Sequence, residues 1–188
     1  MKTAIKLFAS LTIILGLAIT TFGQQNASAT ITGLANVATQ VTVAGGGSLE
    51  FGNVTPGNVK TVSNSGVVGP GIIGGTTEAA GKFTVSKGVN TQVTLAFTLP
   101  SNLTSGSANL PISFADYSST KCARIAKTSQ TDVPFTPSAG ITVANLGSTV
   151  WAFASNSFDV YIGGTVTPDG AQTAGAYTGN ITLTATYN

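Results

Sequence analysis

Ala176-Tyr177-Thr178-Gly179-Asn180-Ile181-Thr182-Leu183-Thr184-Ala185-Thr186-Tyr187-Asn188 alternates to the last residue of the chain. Ile181, Leu183, Ala185 and Tyr187 fall on one face, and Asn180, Thr182, Thr184, Thr186 and Asn188 on the other. Period two is the pattern of a half-buried β-strand. Chain ends fray unless neighbours tie them down. This strand is therefore expected to pair in its own sheet or in another molecule. Assembly at the chain ends becomes the main functional question.

The same pattern extends upstream. In Ser157-Phe158-Asp159-Val160-Tyr161-Ile162-Gly163-Gly164-Thr165-Val166, residues Phe158, Val160 and Ile162 share an inward face, and Pro168-Asp169-Gly170 turns the chain toward its end. Gln92-Val93-Thr94-Leu95-Ala96-Phe97-Thr98-Leu99 places Val93, Leu95, Phe97 and Leu99 on one face. It is expected to pair with Lys82-Phe83-Thr84-Val85 across residues 87–90. A first strand is expected over residues 29–43, ending at the Gly45-Gly46-Gly47 break. Leu49-Glu50-Phe51-Gly52-Asn53-Val54 follows, closed by Thr55-Pro56-Gly57, and residues 59–62, 67–73 and 110–114 supply shorter strands. Val, Ile, Thr, Phe and Tyr dominate these runs, turn residues separate them, and no helix is expected after the amino-terminal segment. Residues 115–139 are irregular and hold Tyr117, Lys121, Cys122, Arg124, Lys127, Asp132, Pro134 and Pro137. They read as an exposed functional loop or a poorly ordered insertion. Short strands at this spacing specify an all-β fold, an immunoglobulin-like antiparallel β-sandwich, as a single domain over residues 24–188.

Residues 1–23 read as a signal peptide. Lys2 and Lys6 make a positive start, residues 7–19 are apolar apart from Ser10, Thr12 and Gly16, and Thr21-Phe22-Gly23 precedes a cut before Gln24. Ala27-Ser28-Ala29 offers an alternative site. The apolar run is short for a span, so no membrane span is expected once the signal is removed. Cleavage leaves 165 residues, enough for one domain with its own core. Without Lys2 and Lys6 the basic residues number six, equal to the acidic ones. A neutral chain with no Lys/Arg cluster is not expected to bind nucleic acid or anionic lipid. Only 7% of the chain is charged, far below the usual quarter, so Thr, Ser, Asn and Gln must carry solubility.

Much chemistry is excluded by composition. With no His, Ser-His-Asp and Cys-His catalysis and the common zinc sites drop out. Cys122 is alone, so no intramolecular disulfide forms, and a buried free thiol is the favoured reading. Glu50, Glu78, Asp116, Asp132, Asp159 and Asp169 are scattered as solvated surface groups usually are, without the spacing of a carboxylate pair or a calcium loop. The three glycines at 45–47 lack the Lys and Ser of a phosphate loop. Trp151 and Phe153 suit a core or sheet face better than a sugar platform. The Asn26, Asn102 and Asn180 sequons carry little weight without a eukaryotic source. Neither an enzyme nor a cofactor nor a metal is expected.

Three stretches carry a family resemblance. Leu49-Glu50-Phe51-Gly52-Asn53-Val54-Thr55-Pro56-Gly57, the Phe158 to Pro168 strand, and Ala174-Gly175-Ala176-Tyr177-Thr178-Gly179 with the terminal strand resemble the motifs of one secreted bacterial family. That family is catalogued as domain of unknown function 4402 and is similar to spore coat protein U and pilin-like β-sandwiches. The carboxyl end also resembles that of chaperone–usher pilins, with Tyr187 penultimate and Gly175 fourteenth from the end. The resemblance implies a periplasmic chaperone as partner and subunit assembly by strand addition, in which backbone hydrogen bonds and alternate side chains share the recognition.

Two functional expectations follow. The first is an exported cell-surface or fimbria-like structural subunit that assembles with other protein subunits or with itself. Gly175, Tyr177, Ile181, Leu183, Ala185 and Tyr187 would form its assembly strand, and Ala27, Ala29, Ile31 and Gly33 would form a donor segment within residues 24–35. The second is a monomeric secreted adhesin or binding module whose 115–139 loop contacts a surface ligand through Tyr117, Lys121, Arg124 and Lys127. Both place the protein in the periplasm, on the cell surface or outside a bacterium.

Overall fold

The computed structural model describes residues 32, 40–65, 78–88, 92–116, 121–126, 131–143 and 157–188. The fold set out below belongs to the unit Val37–Asn188. Its strands are β1 (Thr42–Gly47), β2 (Lys60–Val62), β3 (Gly81–Ser86), β4 (Val93–Thr98), β5 (Asn102–Ser105) and β6 (Ala108–Ser113). They continue with β7 (Ala123–Ala126), β8 (Val133–Phe135), β9 (Ile141–Val143), β10 (Ser157–Ile162), β11 (Gly164–Val166) and β12 (Thr182–Tyr187). One 3-10 turn, Pro137–Ala139, precedes β9. All the strand pairings are antiparallel.

Five strands form one sheet in the order β1-β3-β10-β7-β8, and two smaller sheets run β2-β11-β6-β5 and β12-β4-β9. The large sheet meets the β12-β4-β9 sheet through aromatic contacts. Phe97 of β4 sits edge-on to Phe83 of β3 at 5.9 Å and stacks on Phe135 of β8 at 6.1 Å. Between these layers Val85, Val93, Leu95, Ile125, Val143, Val160 and Ile162 are fully buried. Each such side chain contributes about 1.5–3 kcal/mol relative to exposure. The chain is an all-β sandwich of antiparallel sheets.

Alternation places the strands as the sequence predicts. Phe158, Val160 and Ile162 are buried, and Leu183 is buried on β12 while Thr182, Thr184 and Thr186 are exposed. β12 pairs with β4 over six residues, from Thr182 opposite Thr98 to Tyr187 opposite Val93. Its last side chain is fastened as well, since the Gly88 amide donates to the Tyr187 hydroxyl at 3.0 Å.

Several boundaries differ from the sequence reading. The glycines at 45–47 do not break a strand but lie within β1. A ladder needs only backbone groups, so an edge strand can lack side chains. Residues 49–54 form no strand and hold only a two-bond bridge between Glu50 and Ala79. β3 and β4 do not pair with each other. They belong to facing sheets, because Val85 and Leu95 fill the core from opposite sides. β5, with Gly106 completing its hairpin to β6, was not foreseen. Within the 115–139 stretch, Ala123–Ala126 and Val133–Phe135 join the large sheet as β7 and β8, where Ala123, Ile125 and Phe135 enter the core. Most of the expected 29–43 strand, the 67–73 strand, Trp151 and Phe153 fall outside the described residues.

The expected single strand from 157 to 166 divides at Gly163, where the chain passes from the large sheet into the β2-β11-β6-β5 sheet. A side-chain carbon there would collide with the Val62 carbonyl oxygen, so only glycine permits the crossing. Gly163 donates its amide to the Cys122 carbonyl and accepts the Cys122 thiol proton, both at 2.9 Å. Burial is the main reason that the Cys122 pKa is pushed up to about 12.

Candidate functional site

A cleft of about 1160 Å³ runs between a rim at residues 45–56, which begins in the end of β1, and an irregular strap at residues 172–181. Its floor belongs to the sheets: Phe83, Leu103, Leu110, Ile112 and Ile162 line it, the last three of them buried, with Leu49 and Phe51 on the rim. With Ser48, Asn53, Gln172, Thr173 and Asn180 also on its walls, the cleft suits an amphipathic occupant.

Local chemistry shapes each side. On the rim, Asn58 donates to the Thr55 carbonyl at 3.1 Å, with Pro56 second and Gly57 third in the turn. Gly57 has φ +77, so Pro followed by a positive-φ glycine gives a type II pattern. The Gly57 amide then donates to the Asp169 carbonyl at 3.0 Å and pins the rim to the start of the strap. At mid-rim, the Lys60 ammonium donates to the Asn53 carbonyl at 2.9 Å and to Glu78 Oε1 at 2.6 Å. The Lys60 and Glu78 side chains are only 3% and 6% exposed, so this ion pair is buried rather than solvated. Nothing in the sequence, where the two stand 18 positions apart, signals it.

The strap lies along β5, where Thr104 and Thr178 exchange backbone hydrogen bonds of 2.8 and 3.0 Å. Tyr177 stiffens it: its hydroxyl donates to the Thr173 carbonyl at 2.6 Å and accepts from Gln172 Nε2 at 2.7 Å. A Cβ at Gly175 would come within 2.6 Å of Ser105 Oγ, so the strap seats closely against the β5–β6 hairpin and a larger residue there would turn the Ser105 hydroxyl aside. Beyond Gly57 and Asp169, no backbone hydrogen bond among the described residues joins rim to strap. Among the described residues β1 is paired by β3 alone and β12 by β4 alone. Past the end of β1, the described backbone of rim and strap pairs with the rest of the fold through the Glu50–Ala79 and Thr104–Thr178 bridges.

The structure divides the expected assembly strand. Gly175, Tyr177 and Ile181 border the cleft, whereas Leu183, Ala185 and Tyr187 lie beyond it on β12. The donor residues Ala27, Ala29, Ile31 and Gly33 lie outside the described residues, as do Tyr117 and Lys127 of the expected contact loop. Lys121 and Arg124 are described and engaged. Lys121 donates to Asp116 at 2.7 Å, and Asp116 also accepts from Thr136 Oγ1 and the Cys122 amide. The Lys121 hydrogen bond is the main cause that holds the Asp116 carboxyl below its ordinary pKa. Arg124, on β7, pairs with Asp132, donates Nε to the Asn64 carbonyl at 3.0 Å, and covers the Tyr161 ring at 4.4 Å. Lys82 approaches the same ring at 5.8 Å and pairs with Asp159 at 2.8 Å. These contacts form a cross-strand row on the outer face of the large sheet.

Charge is sparse at the cleft, where Glu50 and Lys82 are the only ionisable side chains apart from tyrosine among the described residues. No group of three or more His, Cys, Asp or Glu that could hold a metal ion occurs among the described residues. Nor is any described helix long and apolar enough to cross a membrane. No protein-family model matches the chain, and no curated protein is significantly similar to it.

Proposed function

We propose that this chain is an exported structural subunit, on the cell surface or in a fimbria-like assembly, that receives an extended strand of another protein in the cleft between rim and strap. The observation that carries the reading is a cleft of mixed polar and apolar lining whose two borders, among the described residues, join the sheets beyond β1 through two short bridges. Such a groove offers an extended peptide both main-chain partners and cover for alternate side chains. The resemblance of its motifs to a secreted pilin-like family agrees with this reading, as do the export signal and the lack of a catalytic constellation. The alternative adhesin reading draws less support, because Lys121 and Arg124 are committed to Asp116 and Asp132.

The test is photo-crosslinking in cells that export the chain. A photoreactive residue replaces Ser48 on the rim or, as control, Thr142 on β9. Position 48 is expected to yield covalent adducts mapped by mass spectrometry to an extended segment of another subunit, and position 142 none. Absence of adducts from position 48 in cells that export the chain to the surface overturns the reading.

A further inference from the structure

We infer that residues 53–58 form a hinged flap at one end of the cleft, and that the buried Lys60–Glu78 pair is its latch. The flap gates the cleft for any occupant, so it stands or falls independently of strand addition.

Two posts hold the segment. Phe51 is buried, and Glu50 beside it exchanges backbone hydrogen bonds of 2.9 and 3.0 Å with Ala79. Lys60 is 2% exposed and sits in β2 opposite Val166. Between the posts no residue is buried: Asn53, Thr55, Pro56 and Asn58 are exposed, Val54 is half-buried, and Val59 is 47% exposed. A segment with so few buried contacts opens locally at low cost. Gly52, at φ +59 and without a Cβ, supplies the hinge beside Phe51, and exposed Val59 supplies the one beside Lys60. The turn at residues 55–58 closes on its own Asn58 to Thr55 hydrogen bond, so it moves as one piece.

Among the described residues, two hydrogen bonds fasten the flap to the body. The Gly57 amide donates to the Asp169 carbonyl at 3.0 Å, and the Lys60 ammonium donates to the Asn53 carbonyl at 2.9 Å. The first is a clasp between two turns. The Asp169 carbonyl also accepts the Gln172 amide at 3.0 Å, so the strap keeps its shape when the flap lets go. The second bond is the stronger, because its donor is charged and is held in place by Glu78 Oε1 at 2.6 Å. Asn53, Val54 and Pro56 line the cleft together with Pro168, so lifting the flap widens that end. Apolar residues can replace a buried ion pair without loss of stability. They cannot hold the Asn53 carbonyl, and that bond is what the pair adds.

The experiment is residue-resolved amide exchange by NMR on the chain from Gln24 onward and on its Lys60→Met, Glu78→Leu double variant. The variant keeps the site filled and removes the ammonium. Loss of the latch is expected to speed exchange of the Gly57 amide about tenfold or more. The Asn58, Ala79 and Gln172 amides should stay within about threefold, since their bonds lie inside the turn, the post and the strap. An unchanged Gly57 amide overturns the inference. A rise shared by Asn58 and Ala79 overturns it too, because the whole rim would then unravel instead of hinging. Should the double variant not fold, urea decides in the native chain. A Gly57 amide that opens without urea dependence below the unfolding transition supports the flap. One that follows the slowest amides of β4 and β10 opens only by global unfolding, and the flap is refuted.

Discussion

The ammonium of Lys60 lies 2.6 Å from a carboxylate oxygen of Glu78, both side chains nearly sealed from water, and the same ammonium holds the Asn53 carbonyl of the cleft rim. Removing one partner of such a pair strands the other charge. Glu78→Ala is expected to cost about 3–5 kcal/mol in urea unfolding and to speed amide exchange at residues 50–54. The double variant Lys60→Met with Glu78→Leu should recover most of that loss. A cost of less than about 1 kcal/mol for Glu78→Ala would mean that Lys60 is satisfied by other groups.

Two glycines should respond oppositely to alanine. At Gly163 a methyl group collides with the Val62 carbonyl, and the crossing between sheets must shift. At Gly45 an added Cβ meets nothing within 4 Å. Gly163→Ala is expected to lose about 3 kcal/mol or more, and Gly45→Ala to be neutral or to gain up to about 1 kcal/mol. Thermal melts of the two variants check the contrast. Equal losses would refute it.

Cys122 should be inert in the folded chain. It is fully buried, donates its thiol proton to Gly163, and its pKa is pushed up to about 12. Iodoacetamide at pH 8 is expected to label it only after unfolding. Because the folded pKa is raised, the contribution is complete below the unfolded value of about 9 and is lost as pH rises toward 12. Cys122→Ala should remove that part of the alkaline decline. Rapid labelling without unfolding would contradict the burial.

The Lys82–Asp159 pair implies losses at both ends of the pH scale. The Asp159 hydrogen bond and charge raise Lys82 above 10.5. Its contribution is therefore complete below that value and disappears as pH rises through the folded pKa. Burial pushes Asp159 up, but hydrogen bonds from Lys82 and Thr84 and the Lys82 charge outweigh it and hold the group below 3.8. Asp116 is lowered likewise, so both carboxylates contribute above 3.8 and lose that contribution as pH falls through their folded values. Melting temperature should be level between about pH 5 and 8 and fall on either side. Lys82→Met should make the alkaline limb above 10.5 shallower, leaving the part due to Cys122, and leave the part of the acid limb due to Asp116. An unchanged alkaline limb would show that the pair contributes nothing.

Legibility followed the range of each interaction. Phe158, Val160 and Ile162, or Leu183 between exposed threonines, could be read because strand geometry alternates faces over neighbouring residues. The β3–β4 pairing was misread because sequence proximity does not state which sheet a strand joins. The glycines at 45–47 looked like a break because a ladder made of backbone leaves no trace in side chains. Of the candidate site, Gly175, Tyr177 and Ile181 were in view as a terminal motif. The rim opposite them was visible only as a family motif, since Leu49 and Phe51 come to line one cleft with the strap through folding.

Local alternation and composition were enough to assign an all-β fold, the inward faces of β4, β10 and β12, and a chemistry without histidine. These properties depend on residue type and on neighbours two positions away. Tertiary structure alone decided that the chain changes sheets at Gly163, that Lys60 and Glu78 are buried together, and that residues 45–56 and 172–181 border one cleft. Each of those joins groups far apart in the chain. Their contact depends on how the sheets stack, and no local pattern encodes it.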